Sequence, residues 1–245
     1  MPAMPDLAGR VCLVTGASRG IGRAILLALA EAGGDVAVNC RAQVAAAEAV
    51  ARSARELGRR AIVVQADVSQ ADAVRRMISA TEAALGPIDV LINNAGIAIR
   101  RGVDDLTEAD FDQTIAANLK SCFLCSQAVL PHMRRQGWGR IVNISSGAAR
   151  GAGGIGLHYN ASKAGMEGLT RGYASRVVQD GVTVNAVAPS LIETDMMPAA
   201  PDMAARVPLG RLGRADEVAQ ATLMVIANAY MTGQTIHLSG GMSFD

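Results

Sequence analysis

The sequence predicts a single α/β domain over residues 1–245, built on a doubly wound parallel β-sheet of about seven strands with helices on both faces. Short apolar runs alternate with longer helical segments, and this βαβ alternation indicates a parallel sheet. The apolar runs are continuous rather than alternating with polar residues, as in strands that are buried on both faces. Since no linker, repeat or low-complexity tract divides the chain, one domain is the simplest count.

The predicted elements follow from these runs in chain order. We predict strands at residues 11–15, 35–40, 61–65, 88–93, 140–145, 183–188 and 235–238. We predict helices at residues 21–32, 43–57, 71–85, 108–136, 159–179 and 215–228. Several of these helices end at a glycine, such as Gly33, Gly58 and Gly86, which is a usual helix stop.

One segment is too long for a simple connection. Residues 190–212 carry three prolines, and insertions of this kind often act as lids, so we predict a substrate lid here. Met196 and Met197 predict an apolar, adaptable wall for the substrate, although the same residues would also serve in plain packing against a neighbouring helix.

Composition excludes several classes of function. A hydrophobic content of 50% with 18% charged residues excludes a disordered chain. A net charge of +1 without a basic block argues against nucleic acid as a partner. No run reaches the ~20 apolar residues of a membrane span, and residues 1–10 contain no apolar signal-like stretch. We therefore expect a cytoplasmic protein without a membrane partner, and the sequence suggests no metal site.

The cysteines offer one further motif. Cys122 and Cys125 form a Cys-x-x-Cys pair, which would suit a redox centre. The surrounding sequence instead predicts a helix without a following loop, and cysteine often serves as a small buried apolar residue. The second interpretation is favoured.

A glycine-rich turn joins the first predicted strand to the first helix. Gly16, Gly20 and Gly22 follow the strand directly, and Ile21 opens the helix. Glycines permit a tight turn and a close approach of backbone amides to a pyrophosphate, while the helix N-terminus favours an anion. The alternative is that the glycines only close a strand–helix junction. With the strand before and the helix after, the turn favours a dinucleotide-binding Rossmann fold.

Charge near the second and third strands indicates which nucleotide is preferred. The second strand ends without the carboxylate that would bind a free ribose 2′-hydroxyl, and Arg41 follows it. Arg41 and Arg19 would pair with a 2′-phosphate, which favours NADPH over NADH, unless both are simply solvated. Asp67 follows the third strand and would accept from the adenine amino group, although such aspartates also cap helices.

A tyrosine, a lysine and a serine predict the proton-transfer group. Tyr159 and Lys163 are four residues apart and would share one helix face, and Ser146 ends the fifth predicted strand. Lowering a tyrosine pKa from about 10 to about 7 requires roughly 4 kcal/mol, which an ammonium ~4 Å away supplies at an effective dielectric near 20. Tyr159 would then donate a proton to a carbonyl oxygen during hydride transfer, while Ser146 contacts that oxygen. Each residue alone is usually structural, but the combination with the glycine turn indicates catalysis.

These motifs resemble the short-chain dehydrogenase/reductase family over nearly the whole chain, including the Asn93-Asn94-Ala95-Gly96 sequence after the fourth strand. The resemblance implies that Asn118 completes a catalytic set with Ser146, Tyr159 and Lys163, although an asparagine there would also suit a helix kink. It implies that NADP(H) is held by Gly16, Ser18, Arg19, Gly20, Ile21, Gly22, Arg41, Asp67, Val68, Asn94, Ala95, Gly96, Tyr159, Lys163, Pro189, Ile192 and Thr194.

Within the family the chain is most similar to 3-oxoacyl-[acyl-carrier-protein] reductases, through the glycine turn and residues 207–214 and 231–242. This resemblance implies an NADPH-dependent homotetramer that reduces a 3-oxoacyl thioester, carried on acyl carrier protein or coenzyme A, in fatty acid biosynthesis. The long helices at 108–136 and 159–179 would form one subunit interface.

Two departures separate the chain from that pattern. The family usually has Pro-Gly after the sixth strand, where this chain has Pro189-Ser190, so we expect a less permissive backbone there. The basic residues that dock a carrier protein have Gly137 and Asp180 as their nearest counterparts, and the arginines near enough to substitute are Arg134, Arg135 and Arg176.

Two other functions remain open at this point. The first is a relative that acts on another carbonyl or alcohol, such as acetoacetyl-CoA, a polyol, a sugar or a cyclic ketone. The second is a non-catalytic NADP-sensing regulator, against which the retention of Ser146, Tyr159 and Lys163 argues.

Overall fold

The computed structural model describes residues 5–151, 153–194 and 201–244. Seven parallel strands form one sheet in the order β3-β2-β1-β4-β5-β6-β7. The strand order reverses between β1 and β4, so their carboxyl ends open a crevice there. The strands are β1 Val11–Val14, β2 Asp35–Cys40, β3 Ala61–Gln65, β4 Val90–Asn93, β5 Gly139–Ile144, β6 Val182–Pro189 and β7 Thr235–Leu238.

Helices cover both faces of this sheet. They are α1 Gly20–Glu31, α2 Val44–Glu56, α3 Ala71–Leu85, α4 Glu108–Ile115, α5 Ser121–Gln136, α6 Leu157–Val177, α7 Pro201–Ala204 and α8 Ala215–Ala227. Successive strand residues point to opposite faces. Cys12 therefore joins the core beneath α1, α2 and α8, whereas Leu13 joins the core beneath α3, α5 and α6. The predicted doubly wound sheet is confirmed.

The predicted helix at 108–136 is interrupted, which is a correction. A π-helical turn, Ala116–Lys120, separates α4 from α5. Such turns contain one residue more than an α-helical turn and often occur at functional sites. Asn118 lies inside it and is fully buried, so the interruption places a polar side chain between the two helices.

The two ends of the predicted lid segment pair with each other. Ile192 pairs with Gly213, and backbone hydrogen bonds join Leu191 and Glu193 to Gly213. The two ends of the insertion are therefore held together beside β6. Met196 and Met197 lie outside the described residues. In the described part of the chain, no helix has the length and apolarity needed to cross a bilayer.

Candidate active site

The glycine turn is shaped by the segment that follows β4. Gly16 and Gly20 have φ angles of +63° and +56°, which favour glycine. A Cβ added at Gly16 would lie 2.9 Å from Ala95 Cα, and one added at Gly22 would collide with the Asn94 amide. Helix α1 begins at Gly20 without a side-chain cap, so its first N–H groups are available to an anion.

Polar side chains fasten this turn to its neighbours. The Asn94 amide donates to the carbonyls of Thr15 and Gly16 at 2.9 and 3.0 Å. The Thr15 hydroxyl accepts from the backbone N–H groups of Asn94 and Ala95. Buried Asn39 accepts from the Gly16 N–H at 3.2 Å and donates to the carbonyls of Val64 and Ala66, at the carboxyl end of β3. The roles of Thr15 and Asn39 were not predicted from the sequence. For Asn39 a signal was present, because a polar amide side chain lies inside the otherwise apolar strand β2.

The predicted nucleotide-selecting residues lie after the carboxyl ends of three neighbouring strands: Arg19 in the glycine turn after β1, Arg41 after β2 and Asp67 after β3. Arg19 and Arg41 are both exposed, which leaves their guanidinium groups accessible to a phosphate. Asp67 accepts from the backbone N–H and the hydroxyl of Ser69 at 3.0 and 2.7 Å. The aspartate therefore makes a local turn ahead of α3, whose N-cap is Gln70. Val68 is buried beside it.

The four predicted catalytic residues meet at the carboxyl ends of β4 and β5. Tyr159 and Lys163 lie one turn apart near the start of α6. Ser146 follows β5 and caps a 3-10 turn by accepting from the Ala148 N–H at 3.2 Å. The Ser146 hydroxyl also faces the Tyr159 phenol closely enough to lower the pKa of that phenol. The structure thus brings Ser146 close to Tyr159 and gives it a structural role as a cap; its predicted contact with the substrate oxygen stays a prediction.

Lys163 does not lower the pKa of the phenol as the sequence predicted. Burial raises the pKa of Tyr159, and the hydrogen bond to Ser146 opposes that rise. Lys163 Nζ donates to the Ile144 carbonyl at 2.7 Å and lies 5.8 Å from the centre of the tyrosine ring. Burial also lowers the pKa of Lys163 to about 8. The expectation of a tyrosine pKa near 7 is wrong for this structure, because burial raises the pKa of the phenol and the Lys163 ammonium is hydrogen-bonded to the Ile144 carbonyl.

Asn118 links the π-helical turn to both sides of the site. Its Oδ1 accepts from the Ile97 N–H at 2.8 Å, and its Nδ2 donates to the Ile97 carbonyl and to Ser162 Oγ, each at 3.1 Å. Ser162 in turn donates to the Tyr159 carbonyl at 2.7 Å. A Cβ added at Gly96 would lie 3.1 Å from Asn118 Oδ1, so this glycine permits the close packing. Asn118 is both a residue of the helix interruption and a link to the tyrosine.

The end of β6 completes the wall opposite the glycine turn. Pro189 ends the strand, Ile192 is buried, and the Thr194 methyl group lies 3.6 Å from a Cβ added at Gly20. No non-glycine residue in the described ranges has a positive φ, so Ser190 occupies its position without strain. Its hydroxyl fills the space that a Cβ on Gly147 would take.

The Cys-x-x-Cys pair does not show the features of a redox centre. Cys122 and Cys125 are buried thiols, and burial raises the pKa of both, to about 12 for Cys125. Cys122 Sγ contacts Asn143 Oδ1 at 3.0 Å. Thiols with raised pKa values are poor nucleophiles, so both residues serve in packing.

The chain matches the family model described as short chain dehydrogenase over residues 10–205. It is 43% identical over 239 residues to "3-oxoacyl-[acyl-carrier-protein] reductase FabG" of Staphylococcus aureus (strain N315), covering 94% of this chain and 96% of that protein. It is 43% identical over 245 residues to "3-oxoacyl-[acyl-carrier-protein] reductase" of Synechocystis sp., covering 98% and 99%. "Nodulation protein G" of Azospirillum brasilense is 40% identical over 243 residues, covering 96% and 98%.

Solved structures show the same architecture. A short chain dehydrogenase from Burkholderia cenocepacia J2315, crystallised in complex with NADP, superposes with a TM-score of 0.90 at 37% identity, covering 97% of this chain and 99% of that chain. A dehydrogenase/reductase from Sinorhizobium meliloti 1021 superposes with a TM-score of 0.91 at 34% identity, covering 98% and 97%.

Proposed function

The chain belongs to the short-chain dehydrogenase family, and on that premise we propose that it reduces a 3-oxoacyl thioester to the 3-hydroxyacyl thioester with NADPH. The observation that carries this proposal is the meeting of Ser146, Tyr159 and Lys163 beside an uncapped glycine turn. The naming of two relatives as 3-oxoacyl-[acyl-carrier-protein] reductases at 43% identity supports the choice of substrate.

The residues present fit a phosphorylated dinucleotide. The glycine turn and the first N–H groups of α1 would hold the pyrophosphate, because no side chain caps those N–H groups. A side chain at Gly16 or Gly22 would collide with Ala95 or Asn94 and displace the turn. Arg19 and Arg41 are exposed and positioned to bind a 2′-phosphate, and the Burkholderia neighbour was crystallised with NADP. When bound, the nicotinamide supplies the hydride.

Tyr159 acts as the proton donor in this proposal. Its raised pKa keeps the phenol protonated at neutral pH, which is the form that a reductase requires. The proton passes from the phenol to the substrate oxygen as negative charge develops there. Ser146 hydrogen-bonds to the phenol and orients it. Lys163, with a pKa of about 8, is mainly cationic at pH 7 and stabilises the phenolate that remains.

The substrate lies between the lid and the loops after β4 and β5 in this proposal. These two loops are joined by a hydrogen bond from the Arg101 N–H to the Ile155 carbonyl at 3.0 Å. They line a cleft of about 780 Å³ that includes Arg100 and Arg101, a volume in the usual range for small-molecule sites. The cleft has room for the polar arm of an acyl thioester.

A homotetramer is part of the same proposal. An open, mainly apolar groove of about 650 Å³ runs between α5 and α6, lined by Leu119, Phe123, Gly165, Gly168 and Leu169 among others. Gly168 is exposed, and a Cβ there would meet nothing within 4 Å, so another helix can approach closely and this face suits contact with a second copy. We also place the protein in the cytoplasm, in keeping with four free cysteines.

Docking to an acyl carrier protein has weaker support than the reaction itself. Arg134 forms an ion pair with Asp180 at 2.7 Å, which neutralises one of the predicted docking cations. Arg135 and Arg176 are exposed and are the better candidates. The similarity to Nodulation protein G, at 40% identity, keeps a different carbonyl or alcohol substrate as the second candidate.

The test follows NADPH oxidation with a panel of carbonyl substrates. The panel contains acetoacetyl-CoA, longer 3-oxoacyl thioesters on coenzyme A and on acyl carrier protein, simple ketones and sugars, with NADH in parallel. We expect the highest kcat/KM for a 3-oxoacyl thioester with NADPH. A preference for a simple ketone or sugar would contradict the proposed substrate, and a preference for NADH would contradict the role of the two arginines.

Tyr159→Phe is the companion variant. It removes the proton donor and keeps the ring, so turnover should fall at least about a thousandfold while the Kd for NADPH stays within about twofold. Retained turnover would refute the mechanism. Absence of turnover in both proteins, with NADPH bound, would instead favour the regulator.

A further inference from the structure

One buried carboxylate contacts both ends of the turn that carries Ser146. Glu167 lies on α6 and is only 4% exposed. Its Oε1 accepts from the Ser145 hydroxyl at 3.3 Å, and its Oε2 accepts from Arg150 Nε at 3.2 Å. Ser145 and Arg150 flank the turn on either side, so a single side chain spans the segment that presents the serine.

The first end of the turn is tied to two elements. The Ser145 N–H donates to the Val187 carbonyl on β6 at 2.8 Å. The Ser145 hydroxyl lies 3.3 Å from the Lys163 carbonyl as well as from Glu167. The residue before Ser146 is therefore held against the same stretch of α6 that carries the lysine.

The second end of the turn is joined to α6 through Arg150. Within the turn, the N–H groups of Ala149 and Arg150 donate to the carbonyls of Ser146 and Gly147, which are local contacts that move with the turn. The ion pair from Arg150 to Glu167 instead joins the turn to α6 across a sequence separation of 17 residues. It sets where the turn lies relative to the helix.

The spacing along α6 gives this contact a catalytic meaning. Glu167 lies four residues after Lys163 and eight after Tyr159, so all three share one face of the helix. A charge-assisted contact from that face to both ends of the serine turn therefore aligns Ser146 with the tyrosine. We infer that Glu167 is a positioning residue, which acts with Arg150 to hold the Ser146 hydroxyl against Tyr159. This inference rests on the proposed tyrosine–serine mechanism.

Glu167→Gln and Arg150→Met test the inference by weakening the pair from either side. The glutamine retains an oxygen that can accept from Ser145 but loses the charge that holds Arg150. We expect each variant to lower kcat about tenfold, because small displacements of a catalytic group are costly, and to leave the KM for NADPH within about twofold. Asp35→Asn is the matched control, since Asp35 also pairs with an arginine, Arg60, at 2.7 Å, but at the amino end of β2.

A double-mutant cycle with Ser146→Ala separates positioning from a general structural role. Once the hydroxyl is gone, misplacing its turn should matter little, so Glu167→Gln should lower kcat by less than about twofold in that background. If Glu167→Gln lowered kcat by the same factor with and without Ser146, the positioning role would be overturned. A wild-type protein without turnover on any carbonyl would instead reject the proposed function.

Hydrogen exchange provides a measurement that needs no turnover. The N–H groups of Ala149, Arg150 and Gly151 are hydrogen-bonded within the turn, and loss of the anchor should let the turn open more often. We expect these amides to exchange at least about fivefold faster in Glu167→Gln and Arg150→Met, and at the wild-type rate in Asp35→Asn. If the exchange rates of these amides were unchanged in both test variants, the proposed role of Glu167 and Arg150 in holding the turn would be refuted, whatever the activity.

Discussion

Replacement of Lys163 by methionine should change how the stability of the protein depends on pH. Burial lowers the pKa of Lys163 from 10.5 to about 8 in the folded protein. That difference corresponds to about 3 kcal/mol, at about 1.4 kcal/mol for each pH unit between the two values. Below pH 8 the lysine is charged in both states, so the folded protein bears the full desolvation cost there.

The direction follows from proton binding. Between pH 8 and 10.5 the folded protein binds fewer protons at Lys163 than the unfolded chain does. The free energy of unfolding therefore rises with pH across that window. In Lys163→Met this contribution is absent. The variant also loses the donor to the Ile144 carbonyl, which costs about 1–3 kcal/mol and offsets part of the gain from removing the buried charge at pH 7.

Urea unfolding at pH 7 and pH 10 measures the effect. We expect the stability of the wild type relative to Lys163→Met to increase by about 2–3 kcal/mol between the two pH values. Lys120 is the other lysine in the sequence and is exposed, so Lys120→Met should show no such change relative to wild type. If the difference in unfolding free energy between wild type and Lys163→Met were the same at both pH values, the desolvation of this lysine would be refuted, and with it the physical picture of the site.

Two further predictions concern the nucleotide cradle and the subunit interface. Gly22→Ala should lower stability by about 1–3 kcal/mol and weaken NADPH binding at least about tenfold by fluorescence titration, because its Cβ collides with Asn94. At Gly168 a Cβ would meet nothing within 4 Å, so Gly168→Ala should bind NADPH like wild type. Equal binding by both variants would contradict the role of the glycine turn in binding NADPH. Phe123→Glu should reduce the molar mass seen by light scattering, because Phe123 lines the groove and is 42% exposed. Leu57 is 44% exposed and does not line that groove, so Leu57→Glu should leave the molar mass unchanged. An intact assembly in Phe123→Glu would exclude this face as the interface.

The pattern of apolar runs was enough to predict the sheet, because strands buried on both faces must be apolar along their length. The predicted limits of β2, β3 and β7 agree with the structure, and α3 also matches. The π-helical turn at Ala116–Lys120 was not predictable from periodicity. Residues 108–136 are compatible with an uninterrupted helix, and the turn holds Asn118, whose hydrogen bonds to Ile97 and Ser162 join parts of the chain that are distant in sequence.

The predicted tyrosine pKa shows why local spacing was insufficient in the site. Four residues along a helix place Lys163 near Tyr159, but the orientation of the ammonium depends on the Ile144 carbonyl at the end of β5. Desolvation depends on everything packed around the phenol. Both effects come from parts of the chain that are distant in sequence, so their balance was not available from the Tyr-x-x-x-Lys motif.

By itself, the sequence determined the class of sheet, the glycine turn and the identity of the serine, tyrosine and lysine, since these depend on residue types at short spacings. Only the tertiary structure decided that Asn94 packs into the space left by Gly22 and that Glu167 joins both ends of the Ser146 turn. These contacts connect separate strands and helices. Their geometry depends on how the whole sheet is wound, which no local pattern encodes.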